Sequence, residues 1–271
     1  MFDYEKLGLK VGIEIHQRLK THKLFCDCES WMRERAPIMV VKRKLRPVAG
    51  ELGEVDRAAL FEYMRDRTFI YEVFNNEDCL VELDEEPPHL LNPEAFSIAL
   101  EIALLLNCKI VDEVHVMRKT VIDGSNTSGF QRTAIIGIDG YIEVDGKKIG
   151  IPTLCLEEEA CKIVTKSKEF ARYKLDRLGI PLVEISTTPN IESGEEAKKV
   201  AFILGQILRA TGRVKRGLGT IRQDINISIE GGARQEIKGV QELNLIPEII
   251  RREVLRPVSY THLTLPTTER V

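Results

Sequence analysis

The fold of this chain follows from one stretch near its start, Val11-Gly12-Ile13-Glu14-Ile15-His16-Gln17. Apolar side chains at positions 11, 13 and 15 alternate there with Gly12, Glu14 and His16. Side chains along a β-strand point alternately to the two faces of the sheet. The alternation therefore predicts a strand with one face against a core and a second face that presents a carboxylate and an imidazole.

The same alternation recurs in later segments. Isoleucines at 221, 225 and 227 share one face of a predicted strand, and Asp224 lies on the other. Val183 and Ile185 flank Glu184 in the same way. Carboxylates that converge on one face repel each other, and their desolvation is costly unless a cation neutralises them. We therefore expect a sheet whose polar face is a cation site.

The composition predicts a chain with a substantial core. Its 271 residues, 43% of them hydrophobic, suffice for one large domain or two small ones. The formal net charge of −3 argues against non-specific nucleic-acid binding by the whole chain, although a local basic patch remains open. No apolar run has the length of a membrane span, and the start lacks the features of a signal peptide. We expect a cytoplasmic protein with no membrane partner.

Helix caps and apolar stripes predict four helices. Asn92 precedes one of them as an N-cap, and Ser193 with Glu196 has the spacing of a capping box in a helix that ends at Gly212. The predicted helices span residues 56–74, 92–106, 193–212 and about 247–256. Further strands are predicted at residues 79–83, 112–122 and 131–145.

The candidate metal ligands are carboxylates with a single imidazole. They are Glu14, His16, Glu157, Glu158, Glu184, Asp224 and Glu236. Oxygen-rich sites of this kind suit Mg²⁺ or Mn²⁺ better than zinc. Any one of these residues alone is more typical of a solvated strand face, and the acids at 157–159 also suit the first turn of a helix. Their repetition beside apolar faces is what favours a site.

Groups that suit phosphate oxygens lie on the same or neighbouring segments. They are Gln131, Arg132, Arg177, Arg222, Asn226 and Lys238. Phosphoryl transfer requires positioning and charge neutralisation more than covalent chemistry by the protein. Metal-binding carboxylates with arginines and a lysine nearby therefore fit phosphoryl transfer.

The six cysteines are scattered, and a reducing compartment favours free thiols. Cys26-Asp27-Cys28 is the exception, since two thiols at this spacing can form half of a structural zinc site. Such a site takes four N or S ligands, and no second close pair of Cys or His follows. Free thiols are the favoured interpretation, and zinc stays open.

Four motifs in fixed order resemble the catalytic part of the GatB/GatE family. They are VGIEIH at 11–16, LEEEA at 156–160, DRLGIPLVEI at 176–185 and IRQDINIS at 221–228. Two further segments look like the archaeal branch of that family, RPVAGELGEVD at 46–56 and SNTSGFQR at 125–132. The resemblance covers roughly residues 4–257, and the order of the motifs makes it specific.

The resemblance implies a fold and an activity. The fold is an α+β cradle of the glutamine synthetase and guanido kinase type, with an open, mostly antiparallel sheet and flanking helices. The activity uses ATP and Mg²⁺ to phosphorylate the side chain of glutamate misacylated onto tRNA(Gln), after which ammonia displaces the phosphate. The implied partners are Glu-tRNA(Gln) and an asparaginase-like subunit, GatD, which supplies ammonia within a heterodimer or heterotetramer.

The resemblance also implies roles for individual residues. The implied catalytic residues are Glu14, His16, Glu158, Glu184 and Arg177. Metal would be held by Glu14, His16, Glu158, Glu184, Asp224 and Glu236, and nucleotide would contact Gln131, Arg132, Arg222, Asn226 and Lys238. Zinc-binding members of the family carry a second cysteine pair, which this sequence lacks.

Members of the family continue past the cradle into inserted, helical and tail domains that bind tRNA. We expect residues 1–257 to form a truncated cradle with weak tRNA recognition, followed by a non-native tail at 258–271. Two alternatives stay open. One is a kinase of the same fold that acts on a small acid, and the other is a non-enzymatic RNA-binding module that uses the basic cluster at 209–222.

Overall fold

The computed structural model describes residues 4–32, 34–50 and 53–260, with side chains through residue 256. In chain order the strands are β1 (Lys10–Arg18), β2 (Met39–Arg43), β3 (Thr68–Val73), β4 (Lys109–Ile110), β5 (Val116–Thr120), β6 (Phe130–Val144), β7 (Lys147–Glu158), β8 (Lys162–Lys166), β9 (Phe170–Lys174), β10 (Pro181–Ser186), β11 (Ile221–Ser228) and β12 (Gln235–Val240). The α-helices are α1 (Arg57–Met64), α2 (Pro93–Leu105), α3 (Gly194–Ala210) and α4 (Ile246–Tyr260).

The strands form two sheets. The larger has eight strands in the order β12-β11-β1-β10-β7-β6-β4, with β5 also paired to β6, and all its pairs are antiparallel. The smaller has the order β2-β3-β9-β8, and β3 with β9 is the single parallel pair of the described chain. The predicted α+β fold with mostly antiparallel sheets is confirmed.

β1 lies inside the larger sheet, between β10 and β11. Its apolar residues at positions 11, 13 and 15 are at most 1% exposed and share one core cluster with buried residues of α2, α3 and α4. Burial of an aliphatic side chain of this size stabilises a fold by about 1.5–3 kcal/mol. The helices therefore cover one face of the sheet, and the intervening polar residues of β1 point from the other.

The predicted caps of α2 and α3 are confirmed. The Asn92 side chain accepts hydrogen bonds from the backbone N–H groups of Glu94 and Ala95. Ser193 Oγ accepts from the Glu196 N–H at 3.1 Å, and the Glu196 carboxylate in turn accepts from the Glu192 N–H at 2.8 Å. These bonds satisfy N–H groups that have no partner within a helix.

The structure corrects three predicted segments. The helix predicted over residues 56–74 ends at Met64, and β3 follows, because Phe69, Tyr71 and Val73 are buried with the period of a strand. Asp66, with φ at +52°, separates the two elements. Residues 79–83 form turns instead of a strand.

The last helix is longer than predicted, since the backbone of α4 stays helical through Tyr260. Most of the predicted tail at 258–271 lies outside the described residues. Within the described part of the chain, no helix combines the length and apolar character required to cross a membrane.

Candidate active site

A group of acidic side chains surrounds His16 on the polar face of the larger sheet. The strand register sets His16 opposite Glu184 on β10, and Glu14 opposite Asp224 on β11. His16 Nε2 lies 3.3 Å from Glu184 Oε2 and 3.4 Å from Glu14 Oε1. One ligand atom from each of Glu14, His16 and Glu184 falls within 4.8 Å of the others. The sheet thus brings together three of the predicted ligands.

Glu157 joins this group from β7, the strand that pairs with β10. Its Oε1 lies 3.7 Å from His16 Nε2, and its Oε2 accepts a hydrogen bond from Thr133 Oγ1 at 3.1 Å. Lys119 Nζ, from β5, lies 3.5 Å from Glu184 Oε2 and 3.9 Å from Glu157 Oε2. No local pattern pointed to Lys119, because a single lysine on a strand resembles any solvated position. We name Glu14, His16, Glu157 and Glu184 the carboxylate cluster.

Mutual repulsion and burial shift the titration of the carboxylate cluster. Burial raises the pKa of Glu157 to about 7, and the charge of Glu184 adds to the effect. Burial also acts to raise the pKa of Glu184, but His16 and the Lys119 ammonium outweigh it and lower that pKa to about 2. Burial and Glu184 raise the pKa of Glu14. Burial would lower the pKa of His16, but Glu184 and the neighbouring acids raise it. A cation that binds here must displace protons held near neutral pH.

The donor set fits a hard divalent cation. Glu184 Oε2 is buried and lacks a hydrogen-bond partner among the described residues, although it faces His16 and Lys119. A buried carboxylate oxygen without a partner is costly, and a cation would satisfy it. Carboxylate oxygens with one imidazole are ligands that Mg²⁺ or Mn²⁺ accepts.

Three arginines converge on one carboxylate beside the carboxylate cluster. Glu159 is 1% exposed, and its Oε1 lies 3.0 Å from Nη2 of Arg18 and 3.0 Å from Nη2 of Arg222. Arg177 Nε lies 3.5 Å from the same oxygen. Three guanidinium groups on one carboxylate leave an excess of positive charge, which suits phosphate or carboxylate oxygens. We name Arg18, Arg177 and Arg222 the arginine group.

The structure thus places the predicted Arg177 and Arg222 together, and it adds Arg18 and Glu159. Both additions follow the period of two, since Arg18 comes two residues after His16 and Glu159 comes two after Glu157. Extension of the strand alternation by one step on each segment would have found them.

Glu158 does not join the carboxylate cluster, which corrects its prediction as a metal ligand and catalytic residue. Its Oε1 accepts from the Arg132 backbone N–H at 3.0 Å and from Arg132 Nη1 at 3.2 Å. Gln131 Nε2 donates to the Glu158 carbonyl oxygen at 2.7 Å. Adjacent residues of a strand face opposite sides, so Glu157 and Glu158 cannot share one site. The predicted nucleotide contacts Gln131 and Arg132 are engaged with Glu158.

The outer strands β11 and β12 carry the remaining predicted residues. Asp224 is buried near Glu14, and its Oδ1 accepts from the Gly239 N–H at 2.7 Å. Glu236 pairs with Lys238 at 3.3 Å on the exposed edge strand β12. Asn226 lies opposite Glu236. Because β12 is two strands from β1, roughly 10 Å away, Glu236 and Lys238 do not reach the carboxylate cluster.

A second group of possible ligands contains the predicted Cys26 and Cys28. Cys79 and Glu82 join them, with one ligand atom of each within 4.8 Å of the others. Cys26 Sγ donates to Glu82 Oε1 at 2.9 Å, and the buried Lys23 Nζ lies 3.4 Å from the same oxygen. Three thiols and a carboxylate fit a structural zinc ion. The expectation that no further ligands accompany Cys26 and Cys28 is corrected, because the partners come from a loop distant in sequence.

Comparison with known proteins agrees with this geometry. Residues 9–270 match the family model of the GatB/GatE catalytic domain. A relative from Archaeoglobus fulgidus, named as a GatE-type component of glutamyl-tRNA(Gln) amidotransferase, is 61% identical over 261 residues, which are 96% of this chain and 42% of the relative. Relatives of the same name from Methanococcus maripaludis and Sulfurisphaera tokodaii are 56% and 58% identical, and the matches cover 97% and 94% of this chain and 42% and 40% of the relatives.

The chain spans about two fifths of the length of these relatives. The predicted resemblance, including its archaeal branch, is confirmed. The family model and the identities together show that this chain belongs to the GatB/GatE family and matches its catalytic domain.

Proposed function

We propose that this chain is the catalytic domain of a GatE-type component of glutamyl-tRNA(Gln) amidotransferase, and that it activates a side-chain carboxylate with ATP. One observation carries the proposal, which is that the carboxylate cluster and the arginine group adjoin on one polar sheet face. The name of the relatives supplies the substrate, glutamate attached to tRNA(Gln). We also propose that the open sheet is the cradle of the glutamine synthetase and guanido kinase type.

Glu14, His16 and Glu184 would hold Mg²⁺, with Glu157 as a further ligand or proton acceptor. Bound Mg²⁺ supplies charge neutralisation at the oxygens of the transferred phosphoryl group. Lys119 balances the negative charge of Glu184 and Glu157 from the side of β5. The cluster itself positions oxygen ligands and takes up the protons released when a cation binds.

The reaction needs no side-chain nucleophile. A glutamyl carboxylate resists ammonia until one of its oxygens becomes a good leaving group. That oxygen attacks the γ-phosphorus of ATP, the bond to the β–γ bridging oxygen breaks, and an acyl phosphate and ADP form. Ammonia then attacks the carbonyl carbon, the carbon–oxygen bond to phosphate breaks, and the amide and inorganic phosphate result. Arg177 and Arg222 would bind the phosphate or carboxylate oxygens during both steps.

The source of ammonia lies outside this chain in the proposal. The relatives are named as subunits, which supports assembly with other chains. We propose an asparaginase-like partner, GatD, which would release ammonia by hydrolysing an amide donor. A site shielded from bulk water would keep the acyl phosphate from hydrolysis until ammonia arrives.

Hydroxylamine provides the test, because it traps acyl phosphates in place of ammonia. The chain is incubated with ATP, Mg²⁺, hydroxylamine and a high concentration of Glu-tRNA(Gln), and glutamyl hydroxamate on the tRNA is measured. We expect hydroxamate to require all components, to be lost in Glu184→Gln and to persist in Glu236→Gln, whose side chain is at the exposed edge.

Two other results would contradict the proposal. Hydroxamate formed on a free small acid without tRNA would indicate the small-acid kinase. RNA binding with a steep salt dependence and no ATP-dependent product, unchanged in Glu184→Gln, would indicate the RNA-binding module.

A further inference from the structure

A cavity of about 520 Å³ opens beside the arginine group, where the end of β1 meets residues 30–32 and 212–220. Small-molecule sites in proteins commonly have volumes of about 300–1,000 Å³. The cavity shares Arg18 with the arginine group. Basic and apolar side chains line it together, namely Arg18, Lys215, Arg216, Trp31 and Leu218.

Lys215 is the unusual member of this lining. It is 8% exposed, its Nζ donates to Ser30 Oγ at 2.7 Å, and the described residues give it no ion pair with a carboxylate. Burial and the nearby Arg18 lower the pKa of Lys215 to about 8, against the opposing charge of Glu159. A buried ammonium without a directly paired anion is costly, so the cavity favours a ligand that would provide one.

The mouth of the cavity carries exposed apolar surface. Trp31 is 50% exposed and Leu218 is 94% exposed, and Lys215 Nζ lies 4.7 Å from the centre of the Trp31 ring. An exposed aromatic ring beside basic groups is a platform on which a nucleic-acid base stacks while its phosphates meet the cations. The lining therefore combines the two kinds of contact that a nucleotide needs.

The position of the cavity relates it to the carboxylate cluster. Arg18 and His16 lie on the same face of β1, two residues apart, which corresponds to roughly 6.6 Å along the strand. A triphosphate chain that begins at Arg18 can therefore extend to the cluster where the phosphoryl transfer is proposed. A base bound farther away would leave the terminal phosphate short of it.

We propose that this cavity binds a nucleoside triphosphate, with the base against Trp31 and the inner phosphates at Lys215 and Arg18. The terminal phosphate is directed toward His16 and Glu184. The inference rests on the proposed function, because it locates the nucleotide which that function consumes. Lys215 is a binding residue in this arrangement, and Trp31 selects for a planar base.

Trp31 also reports on the site, because it is the only tryptophan of the chain. Mg-ATP is titrated into the full chain while tryptophan emission is recorded, and calorimetry measures the affinity independently. The variants are Lys215→Met and, as matched control, Lys166→Met, an exposed lysine of the smaller sheet.

We expect a saturable change of Trp31 emission in the wild type and in Lys166→Met. Lys215→Met should weaken ATP binding roughly tenfold to a hundredfold, since it loses a charge-assisted hydrogen bond to phosphate. Its melting temperature should stay equal to that of the wild type or rise, because a buried cation without a carboxylate partner is removed. Loss of affinity without loss of stability separates binding from folding.

Three results would overturn the inference. If calorimetry detects ATP while Trp31 emission and the Lys215→Met affinity are unchanged, the nucleotide binds elsewhere and the proposed function still stands. If Lys215→Met weakens RNA binding but not ATP binding, the cavity belongs to RNA. If a folded chain binds no ATP by calorimetry, the inference and the proposed function fail together.

Discussion

Glu157 and Glu158 are neighbours in the chain, but their carboxylates lie on opposite faces of β7. Glu157 Oε1 is 3.7 Å from His16 Nε2 over the polar face, whereas Glu158 Oε1 accepts from Arg132 at 3.0 Å. Both side chains are almost fully buried. One acid therefore belongs to the chemistry and the other to the scaffold.

Glu158→Gln should destabilise the fold without removing the response to Mg²⁺. The substitution leaves Arg132, a largely buried guanidinium, without its charge partner, and we expect the free energy of unfolding to fall by about 2–4 kcal/mol. Urea unfolding with and without Mg²⁺ measures both effects. A folded variant that no longer responds to Mg²⁺ would return Glu158 to the metal ligands.

Glu184→Gln should abolish stabilisation by Mg²⁺, because Glu184 Oε2 is the buried oxygen that faces the cluster. A ligand at a hundred times its dissociation constant adds about 2.7 kcal/mol to the free energy of unfolding. The control is Glu236→Gln, at the exposed edge, which should keep the full increment. Equal increments in the two variants would show that Mg²⁺ binds away from the cluster.

The metal-free chain should lose stability as the pH rises from about 5 to about 8. The pKa of Glu157 is raised to about 7 from 4.5 by folding, so its stabilising contribution is complete below pH 4.5 and is lost as the pH rises through 7. The raised pKa of His16 acts in the same direction above its unfolded value of 6.5.

Glu157→Gln should flatten this dependence and raise stability at pH 8 by about 1–3 kcal/mol, since a neutral amide replaces a buried charge. Urea unfolding in the presence of chelator, at several pH values, measures the profile. Parallel profiles for wild type and variant would mean that Glu157 does not carry the proton.

Lys23→Met should be strongly destabilising. Lys23 Nζ lies 3.0 Å from Asp78 Oδ1 and 3.4 Å from Glu82 Oε1, and all three side chains are at most 3% exposed. Removal of the cation strands two buried carboxylates, at an expected cost of about 3–5 kcal/mol. Lys44→Met is the comparison, because its pair with Asp66 is exposed, and its effect on unfolding should stay below about 1 kcal/mol.

The four residues Cys26, Cys28, Cys79 and Glu82 predict a measurable metal content. Because their ligand atoms converge, we expect chain purified without chelator to retain about one zinc ion, and Cys79→Ser to lose it. Elemental analysis with thiol titration decides the matter. Freely reactive Cys28 and Cys79 in a metal-free wild type would restore the interpretation as free thiols.

Local pattern was sufficient for the centre of the site. The period of two placed Glu14, His16, Glu184 and Asp224 on one sheet face, and the register brought the first three together. The same rule excludes Glu158, so that error arose because a run of acids was treated as one ligand set. After Met64 the predicted helix was wrong for a related reason, since an aromatic alternation in a short segment resembles a helical stripe.

Other contacts depend on tertiary pairing and leave no local trace. Lys119 reaches Glu184 only because β5 pairs with β6 at the far side of β7. Cys79 and Glu82 meet Cys26 because two loops converge, although a long stretch of chain separates them. Edge position likewise decides that Glu236 pairs with Lys238 instead of a metal.

The place of β1 inside the sheet also has a kinetic consequence. Its two neighbours begin at Pro181 and Ile221, so the contacts that complete the sheet join distant parts of the chain. Such contacts form slowly, and an apolar strand that waits for them is prone to aggregation. During synthesis on the ribosome, the strand that carries Glu14 and His16 is made first and receives its last partner only after Ser228 has emerged, so catalytic competence arrives late and in a single step.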